Sequence, residues 1–132
     1  MTPIPDAFRD LVEQKKAFAS LATVLADGSP QVTPVWFDAA GGHIRVNTAL
    51  GRVKARTMKQ GARVALSILD PDNAYRYMQI RGRVVRVTED GADAHIDALA
   101  KKYLGKDRYP FRQPGERRVM FEIEPDAVQT MG

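Results

Sequence analysis

Arg52, Lys54, Arg56 and Lys59 crowd the end of the stretch Val46–Lys59, with no acidic residue among them. Asn47 and Thr48 precede the turn residue Gly51, so the stretch reads as a strand that passes through a turn into a helix. A helix N-terminus carries partial positive charge and prefers Asp or Glu. Cations at that end cost stability unless an anion sits among them, and the chemistry such a set could do is phosphate capture. Helical spacing puts Arg52, Arg56 and Lys59 on one side and Lys54 roughly opposite. One phosphate therefore cannot use all of them along the helix body. At the first turn Arg52 and Lys54 can flank the free N–H groups from both sides, so these two are assigned to the phosphate and Arg56 comes next. A solvated basic surface helix fits the local pattern equally well.

A second chemically suggestive run is Tyr75-Arg76-Tyr77-Met78-Gln79. Aromatic rings and a guanidinium can stack on a planar ligand and pair with its carbonyls. An ordinary half-buried strand or a dimer contact explains the run slightly better on its own. A third is Thr33-Pro34-Val35-Trp36-Phe37, where a proline interrupts strand pairing beside the sole tryptophan. A planar ligand could use that break, although an edge strand with a core tryptophan is the plainer reading.

Other chemistries lack their residues. There is no cysteine, which removes disulfides, thiolate metal sites and a cysteine nucleophile. The two histidines, His43 and His95, are isolated: His43 at a strand start, His95 expected on an exposed helix face. No HExxH, Gly-x-Ser-x-Gly or Walker loop is present, and a metal site is not expected.

The elements that must position these residues can be read from periodicity. Phe8, Leu11 and Val12 form the stripe of a short N-terminal helix opened by Pro5-Asp6. Phe18–Ala26 and Gln31–Asp38 make a hairpin about Asp27-Gly28. His43–Thr48 is a third strand, residues 51–60 a helix ended by Gly61, and Ala62–Leu69 a fourth strand. Tyr75–Glu89 is the longest strand. Met78, Ile80, Gly82 and Val84 share one face, while Val85 and Val87 fall on the other. That phase shift predicts a bulge or sharp bend, with Gly82 at the corner. Asp90 is expected to cap a helix over residues 92–103 with an Ile96, Leu99, Tyr103 stripe. A Gly/Pro segment rich in aromatics and arginine follows, suited to lie over a site. The last strand is Arg118–Glu124, with Val119, Phe121 and Ile123 inward, Arg118 and Met120 outward, and Pro125 ending it.

The 132 residues support one domain, spanning 1–132. The sum is an α+β fold with six antiparallel strands in a small barrel and three helices. No apolar run approaches a membrane span and no signal peptide is visible, so a cytoplasmic protein is expected. The net charge of +4 raises nucleic acid as a partner. Acids interspersed along the chain, with no long basic block, favour a small anionic ligand instead.

These runs together resemble the pyridoxamine 5'-phosphate oxidase-like flavin and deazaflavin enzymes. The resemblance rests on Ala22-Thr23-Val24, Asp27–Phe37, Asn47-Thr48 and Gly51-Arg52-x-Lys54-x-Arg56. Arg81-Gly82, His95-Ile96-Asp97-x-Leu99-Ala100-x-Lys102-Tyr103 and Tyr109–Glu116 look like the coenzyme F420-dependent branch. The family resemblance implies a split β-barrel and a homodimer with cofactor sites at the subunit interface. It implies that Arg52 and Lys54 bind the cofactor phosphate. The backbone of Val32, Thr33, Pro34, Val35 and Trp36 would pass along the ring, with Asn47, Thr48 and Arg56 nearby. Arg76 and Tyr77 would close the site from the opposite subunit. The implied activity is hydride transfer between F420 or FMN and a small organic substrate, or else cofactor carriage without turnover. Solvent, Tyr77 or Tyr109 would deliver the proton.

Overall fold

The computed structural model describes residues 1–132. A 3-10 turn, Asp6–Phe8, leads into α1, Asp10–Glu13. Then come β1 (Ala19–Val24), β2 (Pro30–Val35), β3 (Asp38–Ala40), β4 (His43–Ala49), α2 (Val53–Thr57), β5 (Arg63–Asp70), β6 (Asn73–Thr88), α3 (Ala92–Leu104) and β7 (Arg118–Met131). The fold is α+β, with one seven-stranded sheet in the order β2-β1-β5-β6-β7-β4-β3. Every pairing is antiparallel.

The expected six-stranded closed barrel is corrected in two respects. A seventh strand, β3, forms just where the expected strand Gln31–Asp38 ends, because Asp38–Ala40 fold back on His43–Arg45 about the expected turn at Gly41-Gly42. The sheet's ends, β2 and β3, do not pair, so it curls without closing. Its curl is nevertheless tight enough that Leu21 of β1 and Val46 of β4, distant in sheet order, share one buried cluster with Ile68, Met78 and Phe121. α2 touches both β1 and β4. Met58, just past α2, is fully buried in the same cluster and seals the gap.

Alternation fixes which face each strand buries. Ala19 and Leu21 face inward while Ser20 and Val24 face out. Val64, Leu66 and Ile68 do the same on β5. The long strand bends as its phase shift predicts, with two irregularities against β7. Arg81 pairs with Ala127 and Gly82 with Pro125, so Asp126 is the extra residue; further on, Val85 is the extra residue between Val84 and Arg86. A Cβ on Gly82 would lie 2.2 Å from the Glu124 carbonyl oxygen, so only glycine allows this approach. Pro125 does not end β7, which runs on to Met131. The proline sits beside the bulge, where a missing N–H costs the ladder little. Pro30 and Pro34 lie on β2, the free edge, where prolines are tolerated.

α3 packs on β7 and β4. It therefore buries the face of β7 that alternation assigned to solvent, and Arg118 and Met120 are 4% and 6% exposed. Its N-cap is Gly91, at φ 76°, and no side chain caps it, so Asp90 does not play the expected role. No helix is long and apolar enough to cross a membrane.

Candidate functional site

A cavity of about 250 Å³ opens where β2, the end of β4, α2, α3 and the segment before β7 converge. β2 and the residue after it supply Pro34, Val35 and Trp36; β4 supplies Asn47 and Thr48; the turn into α2 supplies Arg52 and Lys54. Ile96 and Leu99 of α3 form its apolar floor, and Tyr109, Phe111 and Arg118 close one side. The structure thus brings together the β2 backbone, the aromatic ring and the two cations singled out in the sequence.

Three cations line this cavity, Arg52, Lys54 and Arg118, and Arg118 is paired with Glu116. Arg52 and Lys54 form no ion pair and no side-chain hydrogen bond, although the charge of Arg52 reaches Glu116. Burial pushes the Lys54 amine below the usual lysine range, and the neighbouring Arg52 charge adds to the effect. A half-desolvated amine beside a guanidinium, with no protein counter-ion, is the arrangement a phosphate would relieve.

The helix contributes less than expected. α2 covers only Val53–Thr57 rather than 51–60, and Arg52 is its extended N-cap, at φ −80° and ψ 159°. Five residues sum too few peptide dipoles for a strong terminal field, so the side chains of Arg52 and Lys54 must carry the attraction. Arg56 is outside the cavity, exposed, and donates to the Gly51 carbonyl at 3.2 Å.

Trp36 presents a fixed wall. Its inner face stacks on Tyr103, with centroids 5.2 Å apart and planes 6° from parallel, and Tyr103 in turn stacks on Phe18. Tyr109 meets Trp36 edge-on at 6.1 Å. Tyr103 is held by a hydrogen bond from its hydroxyl to the Ala17 carbonyl at 2.6 Å. Burial pushes its phenol up to about 12. Lys102 lies beneath, donating to the Phe37 and Val12 carbonyls at 2.7 and 2.9 Å, and burial lowers its amine to about 8.

Behind the cavity wall runs a polar network that the sequence did not reveal. His95 is 4% exposed, not the surface residue expected. Its Nε2 lies 3.0 Å from Asp38 Oδ1, and its Nδ1 lies 3.1 Å from Asn47 Nδ2. Asn47 Nδ2 also donates to the Ala92 carbonyl at 2.9 Å, and Asn47 Oδ1 accepts from Arg118 Nε at 2.9 Å. Arg45 grips Asp38 through Nε and Nη2 at 2.9 and 2.7 Å. Arg118 pairs with Glu116 and lies over the Tyr109 ring at 5.1 Å. Burial alone would raise the Asp38 carboxyl, but His95 and Arg45 outweigh it and hold it at about 2. Asn47 thus lines the cavity with its side-chain amide already spent inside the protein. The signal that could have exposed this network was three polar residues, Asp38, Asn47 and Arg118, on strands whose second face a helix covers.

The remaining site candidates lie elsewhere in the chain. Val32 is 63% exposed on the outward side of β2, and neither it nor Thr33 reaches the cavity. Arg76 is engaged with Asp10 at 2.8 Å, Asp70 at 2.8 Å and the Ala7 carbonyl, above the Phe8 ring. Here it pins the N-terminal helix to the β5–β6 turn. Tyr77, next to it on β6, lies between Leu69 and Met131.

A larger depression, about 470 Å³, lies on the outward sheet face between β1, β5 and β6. It contains no aromatic residue, and its Arg83 is already paired with Glu124 and Asp126. No group of three or more acidic or histidine side chains is placed to hold a metal ion.

The family model of pyridoxamine 5'-phosphate oxidase matches residues 4–132. A solved structure named an F420 reductase superposes with a TM-score of 0.81 at 34% identity, covering 96% of this chain and 98% of that one. A conserved hypothetical protein from Mycobacterium tuberculosis superposes at 0.74 with 21% identity, over 97% of this chain and 84% of that one. A FAD and heme binding protein from Mycobacterium smegmatis superposes at 0.71 with 19% identity, over 98% and 71%. At those lower identities the likeness is one of fold. No curated protein sequence matches the chain.

Proposed function

The chain belongs to the pyridoxamine 5'-phosphate oxidase family, and from that premise we propose that it is an oxidoreductase of the flavin class. It would transfer a hydride between deazaflavin coenzyme F420, or FMN, and a small organic substrate. The observation that carries this reading is the uncompensated pair Arg52 and Lys54, set in one cavity with the Trp36 wall. The F420 reductase at 34% identity favours F420 over FMN.

When bound, such a cofactor supplies the hydride chemistry itself. The chain's own residues bind, orient and exclude water. Arg52 and Lys54 would hold the phosphate, whose negative charge would offset the burial and the Arg52 charge that lower the Lys54 amine. The β2 segment Pro34–Trp36, stiffened by the Tyr103 stack, would support the ring. Ile96 and Leu99 line the floor and would offer it apolar side chains rather than water.

The cavity is smaller than the roughly 300–1,000 Å³ usual for small-molecule sites. One chain therefore supplies one wall, and a second copy completes the site. The outward face of β1, β5, β6 and β7 suits that role: Leu69, Tyr77 and Met131 line up across neighbouring strands, with Ala65 and Ala127 flanking Arg81 in another row. Tyr77 lies on this face and remains the proposed contribution to the partner's site, whereas the Arg76 side chain is spent within its own chain on Asp10 and Asp70.

The test is titration of the protein with F420 and FMN, followed by cofactor fluorescence, alongside light scattering for the oligomeric state. Saturable quenching by a dimer is expected. Binding of neither cofactor overturns the proposal, and binding without reduction of any acceptor reduces it to a carrier.

A further inference from the structure

We propose that His95 is a positioning residue that, through Asn47, aims Arg118 into the cavity as a binding group for an oxygen atom of the ligand, and that protonation of His95 releases it. The inference deepens the cofactor site and rests on it for the ligand's identity, but not for the proton-linked movement.

The orientation of each group follows from what faces it. The Ala92 carbonyl can only accept, and Arg118 Nε can only donate. Asn47 must therefore turn its amide nitrogen to Ala92 and its oxygen to Arg118, as the distances of 2.9 Å show. The second amide hydrogen then points at His95 Nδ1, 3.1 Å away, which must accept. The ring proton is left on Nε2, donated to Asp38 Oδ1 at 3.0 Å. His95 is thus the neutral tautomer, fixed at both ends.

Arg118 is the output of this chain. Its Nε is taken by Asn47 and its Nη1 by Glu116, and its guanidinium lies over the Tyr109 ring. Its Nη2 donates to no acceptor in the protein, and Arg118 lines the cavity, so that amino group is the donor left for a ligand there. A buried guanidinium with one free donor beside an aromatic wall suits a carbonyl or anionic oxygen on a planar ligand.

A second proton on His95 turns Nδ1 into a donor facing the Asn47 amide nitrogen, itself a donor. Relief requires the amide to turn over, which takes Oδ1 away from Arg118 and sets it against the Ala92 carbonyl. With that turn Arg118 loses its fixed partner. The charged groups that face this relay are Asp38 on β3, Arg45 and its neighbour Glu122 behind Asp38, Lys102 of α3, whose amine Asp38 stabilises, and Arg118 with Glu116. None of them is placed to accept a proton from His95 Nδ1 in place of Asn47.

The experiment reads Trp36, the only tryptophan, in the cofactor-free protein. Trp36 touches Tyr109, which lies under Arg118. Its emission is followed from pH 5 to pH 9 together with the histidine ring-proton resonances; His43 and His95 are the only two. The expected result is one emission transition whose midpoint coincides with the His95 titration. It is abolished in His95→Gln and in Asn47→Leu, with both folds checked by circular dichroism. FMN or F420 affinity should fall about tenfold across the same transition, the size of one hydrogen bond to a charged group. A flat wild-type emission, a midpoint that tracks His43, or a transition that survives in folded His95→Gln overturns the relay. Failure of either cofactor to bind at any pH sinks the cofactor reading alone, because the emission transition still decides the relay.

Discussion

Trp36 and Tyr103 stack 5.2 Å apart with their rings 6° from parallel, so the inner face of the site's only indole is permanently occupied. A ligand can use only the remaining face and edge of Trp36. The hydroxyl of Tyr103 anchors the pair by donating to the Ala17 carbonyl and lying 3.3 Å from the Phe37 N–H. Tyr103→Phe keeps the stack and removes the anchor. It should cost about 1–2 kcal/mol in urea unfolding, whereas Tyr103→Ala should cost about 3–5 kcal/mol.

Lys54→Ala should weaken cofactor binding by more than about 1 kcal/mol, as for a lost charge-assisted hydrogen bond. Arg56→Ala should change it little, because Arg56 is exposed outside the cavity and occupied by the Gly51 carbonyl. Fluorescence titration of both variants at two salt concentrations checks the contrast. Equal effects would show that the basic segment acts as a diffuse field.

Acid stability should report Asp38. Its carboxyl sits at about 2 in the folded protein, below the roughly 3.9 of a free aspartate. A depressed acid stabilises the fold above the unfolded value and loses that contribution as the pH falls through the folded one. About 2 kcal/mol should be present in full above about pH 4 and vanish between about pH 4 and 2. Urea midpoints across that range should be steep for the wild type and flatter for Asp38→Asn.

Gly82→Ala should be among the most damaging single-methyl additions. The new Cβ meets the backbone oxygen of Glu124 at 2.2 Å, and no flexible side-chain end can yield. A loss of about 1–3 kcal/mol or more is expected, read as a drop in thermal midpoint. An unchanged midpoint would mean that the β6–β7 crossing relaxes freely.

The sequence carried those features that depend on one period or one turn. The β1–β2 hairpin, the inward faces of β5 and β6, the bend at Gly82 and the bulge after Val84 all follow from alternation and its interruption. Residues that answer to two layers at once were not legible. Arg118 and Met120 alternate outward, yet α3 covers that side of β7. His95 sits on α3 between Ala94 and Ile96, and the pairing of β3 with β4 brings Asp38 and Asn47 to its two nitrogens. The cavity itself was half legible. Arg52, Lys54 and Trp36 announced themselves by charge and rarity, but Ile96, Leu99 and Phe111 look like any amphipathic stripe or loop.

The free edge at β2 has a consequence for how copies of the chain meet. An open sheet ordinarily offers its last strand as a template on which further strands can add without limit, the route to fibrils. Pro30 and Pro34 withdraw two donors from that strand, four residues apart. Endless growth in the plane of the sheet is thereby discouraged.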